Sequence, residues 1–98
     1  MEEKKIENYL VKQVKKQCGL CLKFVSPSMA GVPDRIVLLP KGRVFFVETK
    51  APGKKPRKIQ TAVHRIFENL GFKVYVTDSK QQVDKAVEEM IGFEVHTT

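Results

Sequence analysis

The stretch DRIVLLPKGRVFFVETK, residues 34–50, predicts two β-strands joined by a tight turn. Residues 34–39 and 43–50 are rich in β-branched, aromatic and other apolar side chains, and the PKG between them favours a reversal of the chain. We therefore expect an antiparallel hairpin. In such a hairpin Asp34, at the start of the first strand, lies near Glu48, fourteen residues later and toward the end of the second strand.

A lysine is predicted to lie beside these two acids. Glu48 and Lys50 are two positions apart, so their side chains point to the same face of a strand. Two carboxylates and an ammonium group suit Mg²⁺ first and Mn²⁺ second, and such a cation polarises a phosphoryl oxygen and lowers the pKa of water. Each residue alone also has a structural interpretation: Glu48 and Lys50 as an ordinary ion pair, and Asp34 as a turn residue after Pro33.

The pattern around the hairpin predicts three helices and two further strands. The predicted helices are residues 2–17, residues 56–70 and a helix capped by Asp78 or Ser79 that reaches Ile91, and the further strands are residues 20–25 and 72–77. The order α-β-β-β-α-β-α describes an α/β (α+β) fold with a mixed central sheet flanked by helices. The strand 72–77 should run parallel to the strand 43–50, and the tail 93–98 is expected to form an edge strand or a contact with another chain.

Polar residues on the first two helices call for an explanation. Glu7 falls inside the apolar arc of the first helix, where a carboxylate is unexpected unless it reaches out from the edge of the arc. In the second helix His64, one turn after Gln60, is expected to face solvent, with contact to DNA as the alternative. The side chains of that helix expected in the core are Ile59, Val63, Ile66, Phe67 and Leu70.

The chain has a large excess of positive charge. Its 98 residues include 18 Lys plus Arg and 11 Asp plus Glu, a formal net charge of +7. This balance favours a polyanionic partner, nucleic acid before a membrane surface. After Lys50 come four further basic residues and no acid: Lys54, Lys55, Arg57 and Lys58. We expect these four to form a track for DNA phosphates, although a solvated loop is the alternative for Lys54 and Lys55.

Length and composition predict one domain, residues 1–98, in a soluble cytoplasmic protein. No apolar run approaches the roughly 20 residues that a membrane span needs, and the N-terminal sequence is not that of a signal peptide. Cys18 and Cys21 form a C-x-x-C without enough further ligands for zinc. We interpret them as two small apolar residues in a reducing compartment.

The ordered set of residues resembles the PD-(D/E)xK nuclease superfamily and, within it, the VRR-NUC (virus-type replication-repair nuclease) family. The segments that carry the resemblance are GVPDR (31–35), FVETKAPG (46–53) and Gln60, in a helix that ends in LG. The match runs from Gly31 to about Val76. It implies a restriction-endonuclease-like core, Mg²⁺- or Mn²⁺-dependent cleavage of DNA in replication and repair, and a viral or phage origin.

The resemblance also implies roles for particular residues. The implied catalytic residues are Asp34, Glu48, Lys50 and Gln60. The implied metal ligands are Glu7, Asp34, Glu48 and the backbone carbonyl of Thr49. At position 49 the family more often has Val, and we expect the side chain of Thr49 to face away from the site, with little consequence.

Small stand-alone members of the family resemble Holliday-junction resolvases, which act as homodimers. A symmetric four-way junction needs two symmetric cuts, and a two-fold dimer would supply the second site. We therefore expect a homodimeric endonuclease that is selective for branched DNA. Two alternatives stay open: a less selective, end-directed or flap-directed nuclease on linear DNA, and a non-catalytic DNA-binding module whose acids form structural ion pairs.

Overall fold

The computed structural model describes residues 2–93, and its elements follow the predicted order. The helices are α1 (Glu3–Lys16), α2 (Lys58–Asn69) and α3 (Lys80–Gly92), and the strands are β1 (Leu20–Lys23), β2 (Arg35–Leu39), β3 (Arg43–Thr49) and β4 (Lys73–Thr77). The predicted fold class is confirmed. Of the tail for which an edge strand was predicted, residues 94–98 lie outside the described residues. No helix in the described part of the chain is long and apolar enough to cross a membrane.

The four strands form one mixed sheet in the order β1-β2-β3-β4. β1 pairs with β2 and β2 with β3 in antiparallel fashion, whereas β4 lies parallel to β3, as predicted. The turn of the β2–β3 hairpin contains Lys41 and Gly42, whose φ angles are 70° and 71°. Two consecutive positive φ angles match the right-handed twist of the strands they join.

One face of the sheet packs against α1 and α3 and forms the apolar core. Its buried side chains are Ile6, Leu10, Val14, Cys21, Val37, Leu39, Phe45, Val47, Val83, Ala86, Val87 and Met90. Burial raises the pKa of the Cys21 thiol to about 11, which makes it unreactive. Cys18 is exposed, and the two cysteines are not bonded to each other.

The other face carries α2, where the predicted core side chains are partly wrong. Ile59, Ile66 and Leu70 are 49%, 45% and 72% exposed. The residues that α2 buries are Gln60, Val63 and His64, and the ring of Phe67 lies 4.8 Å from that of Phe46 in β3. The helix is therefore rotated so that polar side chains, and not only apolar ones, point at the sheet.

Part of this face is not covered by α1, α2 or α3. Leu20 pairs with Leu38 in the β1–β2 register, and the ring of Phe72 lies 5.6 Å from that of Phe46. Leu20, Leu22 and Phe72 are 57%, 47% and 41% exposed. We refer to Leu20, Leu22, Leu38 and Phe72 as the open face.

Candidate active site

Two carboxylates lie at the end of the sheet where β3 ends and β2 begins. Arg35 pairs with Val47 in the β2–β3 register, which places Asp34, the residue before β2, opposite Glu48. Glu48 is only 3% exposed, and Asp34 is half-buried. The hairpin therefore brings the two acids to one end of the sheet.

Thr49, the last residue of β3, holds the carboxylate of Asp34. The backbone amide of Thr49 donates to Oδ1 at 3.2 Å and to Oδ2 at 3.3 Å, and its hydroxyl donates to Oδ2 at 2.8 Å. Our expectation that this side chain faces away from the site is wrong. Asp34 lies outside β2, so strand alternation does not fix its direction, and its carboxylate reaches the Thr49 hydroxyl.

Lys50 is anchored by the amide of Gln60. The Lys50 ammonium donates to Gln60 Oε1 at 2.9 Å and lies 3.3 Å from Glu48 Oε2. Gln60 Oε1 also accepts from the backbone amide of Arg57 at 2.8 Å, and its Nε2 donates to Glu48 Oε2 at 3.4 Å. The first turn of α2 thus positions Gln60, and Gln60 in turn holds the ammonium of Lys50 and the carboxylate of Glu48.

His64 also faces Glu48, so the expectation of a solvent-facing imidazole is wrong. It is only 6% exposed, and its Nε2 lies 3.6 Å from Glu48 Oε1. Within the described residues neither of these two atoms has a hydrogen-bond partner. Burial lowers the pKa of His64, which favours the neutral imidazole.

Glu7 is paired with Arg35. Its Oε1 accepts a hydrogen bond from Arg35 Nη2, and Arg35 Nη1 donates to the carbonyl of Cys21 at 3.4 Å. Arg35 is 8% exposed, on the face of the sheet that packs against α1. This ion pair accounts for an acid in the apolar arc of α1, and the metal-ligand role of Glu7 stays a prediction.

The surroundings disfavour the charged forms of both acids. Burial, followed by the charge of Glu48, raises the pKa of Asp34 to about 6, although the hydrogen bonds from Thr49 act in the opposite direction. Burial also raises the pKa of Glu48, against the opposing charge of Lys50. A bound cation would reverse this penalty because it interacts favourably with both ionised groups.

The two carboxylates have oxygens of the kind that a hard divalent cation prefers, although two side chains are fewer than a complete ligand set. Glu48 Oε1 is buried without a hydrogen-bond partner in the described part of the chain, and Asp34 Oδ1 accepts only one long amide hydrogen bond. Mg²⁺ is usually held by one or two carboxylates, with water and phosphate oxygens completing the octahedron. Across residues 2–93 no three or more His, Cys, Asp or Glu side chains are grouped so that they could hold a metal ion.

The predicted phosphate track lies on the surface beside the site. Its four residues, Lys54, Lys55, Arg57 and Lys58, are exposed between β3 and the first turn of α2. The loop is tied to the end of β4, because the Lys50 amide donates to the Thr77 carbonyl at 2.9 Å and the Gly53 amide to Asp78 Oδ2 at 3.1 Å. The basic residues therefore follow Lys50 out of the site.

Three features of the site escaped the sequence analysis: Arg35, the imidazole of His64 and the hydroxyl of Thr49. Arg35 alternates with two buried residues of β2, Val37 and Leu39, a position at which a cation needs an acidic partner such as Glu7. His64 follows Gln60 by four residues, which places both on one face of a helix. No sequence signal identifies the hydrogen bond from Thr49. That bond depends on the direction of the Asp34 side chain, and Asp34 lies one residue before β2.

Comparison with known proteins identifies a sequence relative and a solved structure that resemble the chain. No protein-family model matches the chain. Over 80 residues the chain is 49% identical to "Putative nuclease p44" of Acyrthosiphon pisum secondary endosymbiont phage 1. The aligned residues make up 82% of this chain and 86% of that protein. A solved structure described as "VRR_NUC domain" superposes with a TM-score of 0.82 at 34% identity, covering 88% of this chain and 94% of that one.

The raised pKa of Asp34 predicts that this acid destabilises the metal-free protein at neutral pH. The pKa in the folded protein, about 6, exceeds the ordinary value of 3.8, so the folded state holds the proton more tightly than the unfolded state. Asp34 therefore lowers the free energy of unfolding as the pH rises from 3.8 to about 6. We expect Asp34→Asn to raise the stability at pH 7.5 by about 1 kcal/mol, allowing for solvent screening, or roughly 4–8 °C in Tm.

Thermal unfolding in EDTA between pH 4 and pH 7.5 measures this difference. The gain should shrink as the pH falls from about 6 toward 3.8, because the ionised form of Asp34 is progressively lost, first in the folded state and then in the unfolded state. Glu88→Gln, at an exposed position of α3, is the matched control and should not give this pH-dependent gain. A Tm for Asp34→Asn below that of the native protein at pH 7.5 would contradict the prediction.

Proposed function

Because the chain belongs to the VRR-NUC nuclease family, we propose that it is a Mg²⁺- or Mn²⁺-dependent endonuclease that hydrolyses phosphodiester bonds of branched DNA as a homodimer. One observation carries the proposal. Asp34 and Glu48 lie together at one end of the sheet, beside a lysine held by Gln60 and next to a basic track. A module that only bound DNA would gain nothing from two buried acids at that place.

The divalent cation would be held by Asp34, Glu48 and the carbonyl of Thr49. It supplies charge neutralisation and Lewis-acid polarisation at the phosphate, and it lowers the pKa of water. Thr49 keeps the carboxylate of Asp34 in place, and burial of Glu48 excludes bulk water from its carboxylate. These residues thus provide fixed oxygen donors before any cation binds, which reduces the reorganisation needed on binding.

Lys50 contributes positive charge where the phosphate reacts. An ammonium group has three donors, and that of Lys50 lies against Gln60 Oε1 and Glu48 Oε2, so one donor direction is left for a further group. It can therefore orient the attacking water or donate to a phosphate oxygen whose negative charge grows in the transition state. Gln60 acts by holding Lys50 and Glu48 at a fixed separation.

The homodimer is supported by the open face. Leu20, Leu22 and Phe72 expose apolar surface on one side of the sheet, and a contiguous apolar patch on a soluble protein favours contact with another protein surface. A second copy related by a two-fold axis would cover the open face and supply the second active site for symmetric cuts in a four-way junction. The phage source of the sequence relative supports the predicted viral or phage origin, and the cytoplasmic location stays a prediction.

Cleavage of a four-way junction tests the nuclease activity. With Mg²⁺ or Mn²⁺ the native protein should cut the junction, and with EDTA it should not. Glu48→Gln and Lys50→Met should each lower the cleavage rate by about 100-fold or more. The first removes a negative charge that holds the cation, and the second removes a positive charge beside the reacting phosphate. The matched controls Glu88→Gln and Lys85→Met change exposed residues of α3 and should cut at the native rate.

A linear duplex of the same sequence separates this function from its alternatives. Equal cutting of junction and duplex would contradict the preference for branched DNA and identify a less selective nuclease. Cutting confined to ends or flaps would identify an end-directed enzyme. Binding of DNA without cleavage by any variant, with either metal, would identify a DNA-binding module.

The basic track predicts a particular salt dependence of DNA binding. Each lost phosphate contact should lower the slope of log Kd against log salt by about 0.9 on duplex DNA. We expect Lys54→Ala and Lys55→Ala to reduce the slope by that amount, measured by fluorescence anisotropy in EDTA so that no cleavage occurs. Lys12→Ala and Lys16→Ala, at exposed positions of α1 across the sheet, are the controls. Unchanged slopes for both track variants would show that these lysines are merely solvated.

The open face predicts how the dimer can be broken. Leu20→Lys and Leu22→Lys each place a charge in the proposed interface, so both variants should sediment as monomers at micromolar concentration while the native protein sediments as a dimer. Ile91→Lys changes an apolar residue of α3 that is 43% exposed and should leave the dimer intact. A native protein that is monomeric and fully active on junctions would contradict the dimer.

A further inference from the structure

The side chain of Thr49 is engaged entirely with Asp34 at the active site. Thr49 is fully buried, and its hydroxyl donates to Asp34 Oδ2 at 2.8 Å. The amide of the same residue donates to both carboxylate oxygens, at 3.2 Å and 3.3 Å. One residue therefore supplies all the hydrogen bonds seen on this carboxylate within the described residues.

These contacts distinguish the two oxygens of Asp34. Oδ2 accepts from both the hydroxyl and the amide of Thr49, whereas Oδ1 accepts only from the amide. A carboxylate oxygen has about two lone-pair positions, so Oδ1 keeps one for a further ligand. The hydroxyl consequently restricts the rotation of the carboxylate and leaves Oδ1 as the oxygen with fewer hydrogen bonds within the described residues.

We propose that Thr49 is a positioning residue, whose hydroxyl orients the carboxylate of Asp34 to bind the divalent cation. This proposal rests on the function proposed above, in which the carbonyl of Thr49 is also a ligand. Hydrogen-bonded partners of metal-ligating carboxylates orient those ligands, and their loss typically weakens metal binding by 10-fold to 100-fold. Thr49 would then link two of the proposed ligands, the carboxylate of Asp34 and its own carbonyl, through its side chain and backbone.

Valine at position 49 would not replace this contact. Val matches Thr in shape and favours strands equally well, so the core around it can stay packed. Its methyl group cannot donate a hydrogen bond, and a carbon 2.8 Å from a carboxylate oxygen is closer than van der Waals contact allows. The carboxylate of Asp34 would have to turn away from the orientation that presents Oδ1.

Titration calorimetry with MnCl₂ in the absence of DNA tests the proposal through binding and not through activity. Thr49→Val and Thr49→Ala should weaken Mn²⁺ binding by about 10-fold or more. Thr49→Ser keeps the hydroxyl and should bind within about threefold of the native protein. Thr77→Val is the matched control, because Thr77 is buried, pairs with Thr49 across β3 and β4, and has a hydroxyl without a hydrogen-bond partner in residues 2–93.

Thermal unfolding in EDTA provides the second measurement. A purely structural role for the hydroxyl would lower the Tm of Thr49→Val and Thr49→Ala while leaving the Mn²⁺ affinity unchanged, and that outcome would overturn the proposal. Weaker binding by Thr49→Val and Thr49→Ala, with recovery in Thr49→Ser, would support it. If the native protein itself does not bind Mn²⁺, the proposed metal-dependent function fails and this inference fails with it.

Discussion

The antiparallel pairing of β2 with β3 is the constraint on which the site depends. Arg35 lies opposite Val47, and this register brings Asp34, one residue before β2, to the end of β3 that carries Glu48 and Thr49. Val37, Phe45 and Val47 are buried against α1 and α3, so a slip by one residue would expose that apolar set and turn Glu48 to the other face. The apolar core on one side of the sheet therefore fixes the geometry of the polar residues on the other side.

The two faces of the sheet serve different purposes. Helices α1 and α3 bury apolar side chains on one face, whereas α2 buries Gln60 and His64 on the other, toward the carboxylate of Glu48. Buried acids with raised pKa values reduce stability when no cation is bound, and such groups are concentrated at functional sites. The fold tolerates this cost because the apolar core is built from other residues, and in the proposed function it keeps the site ready for a cation.

The sequence predicted the order of the elements and the hairpin that brings Asp34 and Glu48 to one end of the sheet, because both depend on local periodicity and turn chemistry. Gln60 was identified only through the family resemblance. It failed where the answer depends on how elements pack. The rotation of α2, which exposes Ile59 and buries His64, is set by polar contacts with β3 that no helical period contains.

The hydroxyl of Thr49 and the pairing of Glu7 with Arg35 escaped prediction for related reasons. Asp34 lies one residue outside β2, so alternation could not tell which face of β3 it would contact. Glu7 and Arg35 are 28 residues apart in the sequence. They meet because α1 packs against the face of the sheet toward which the side chain of Arg35 points. Both contacts follow from tertiary structure, and both bear on how the acids of the site are held.

In a crystal of the protein soaked in Mn²⁺, the anomalous signal would locate the cation without reference to activity. We expect a strong peak about 2.0–2.3 Å from Asp34 Oδ1, from a carboxylate oxygen of Glu48 and from the Thr49 carbonyl. A Mn²⁺ peak that lies elsewhere, or the absence of one between Asp34 and Glu48 at saturating concentration, would contradict this expectation.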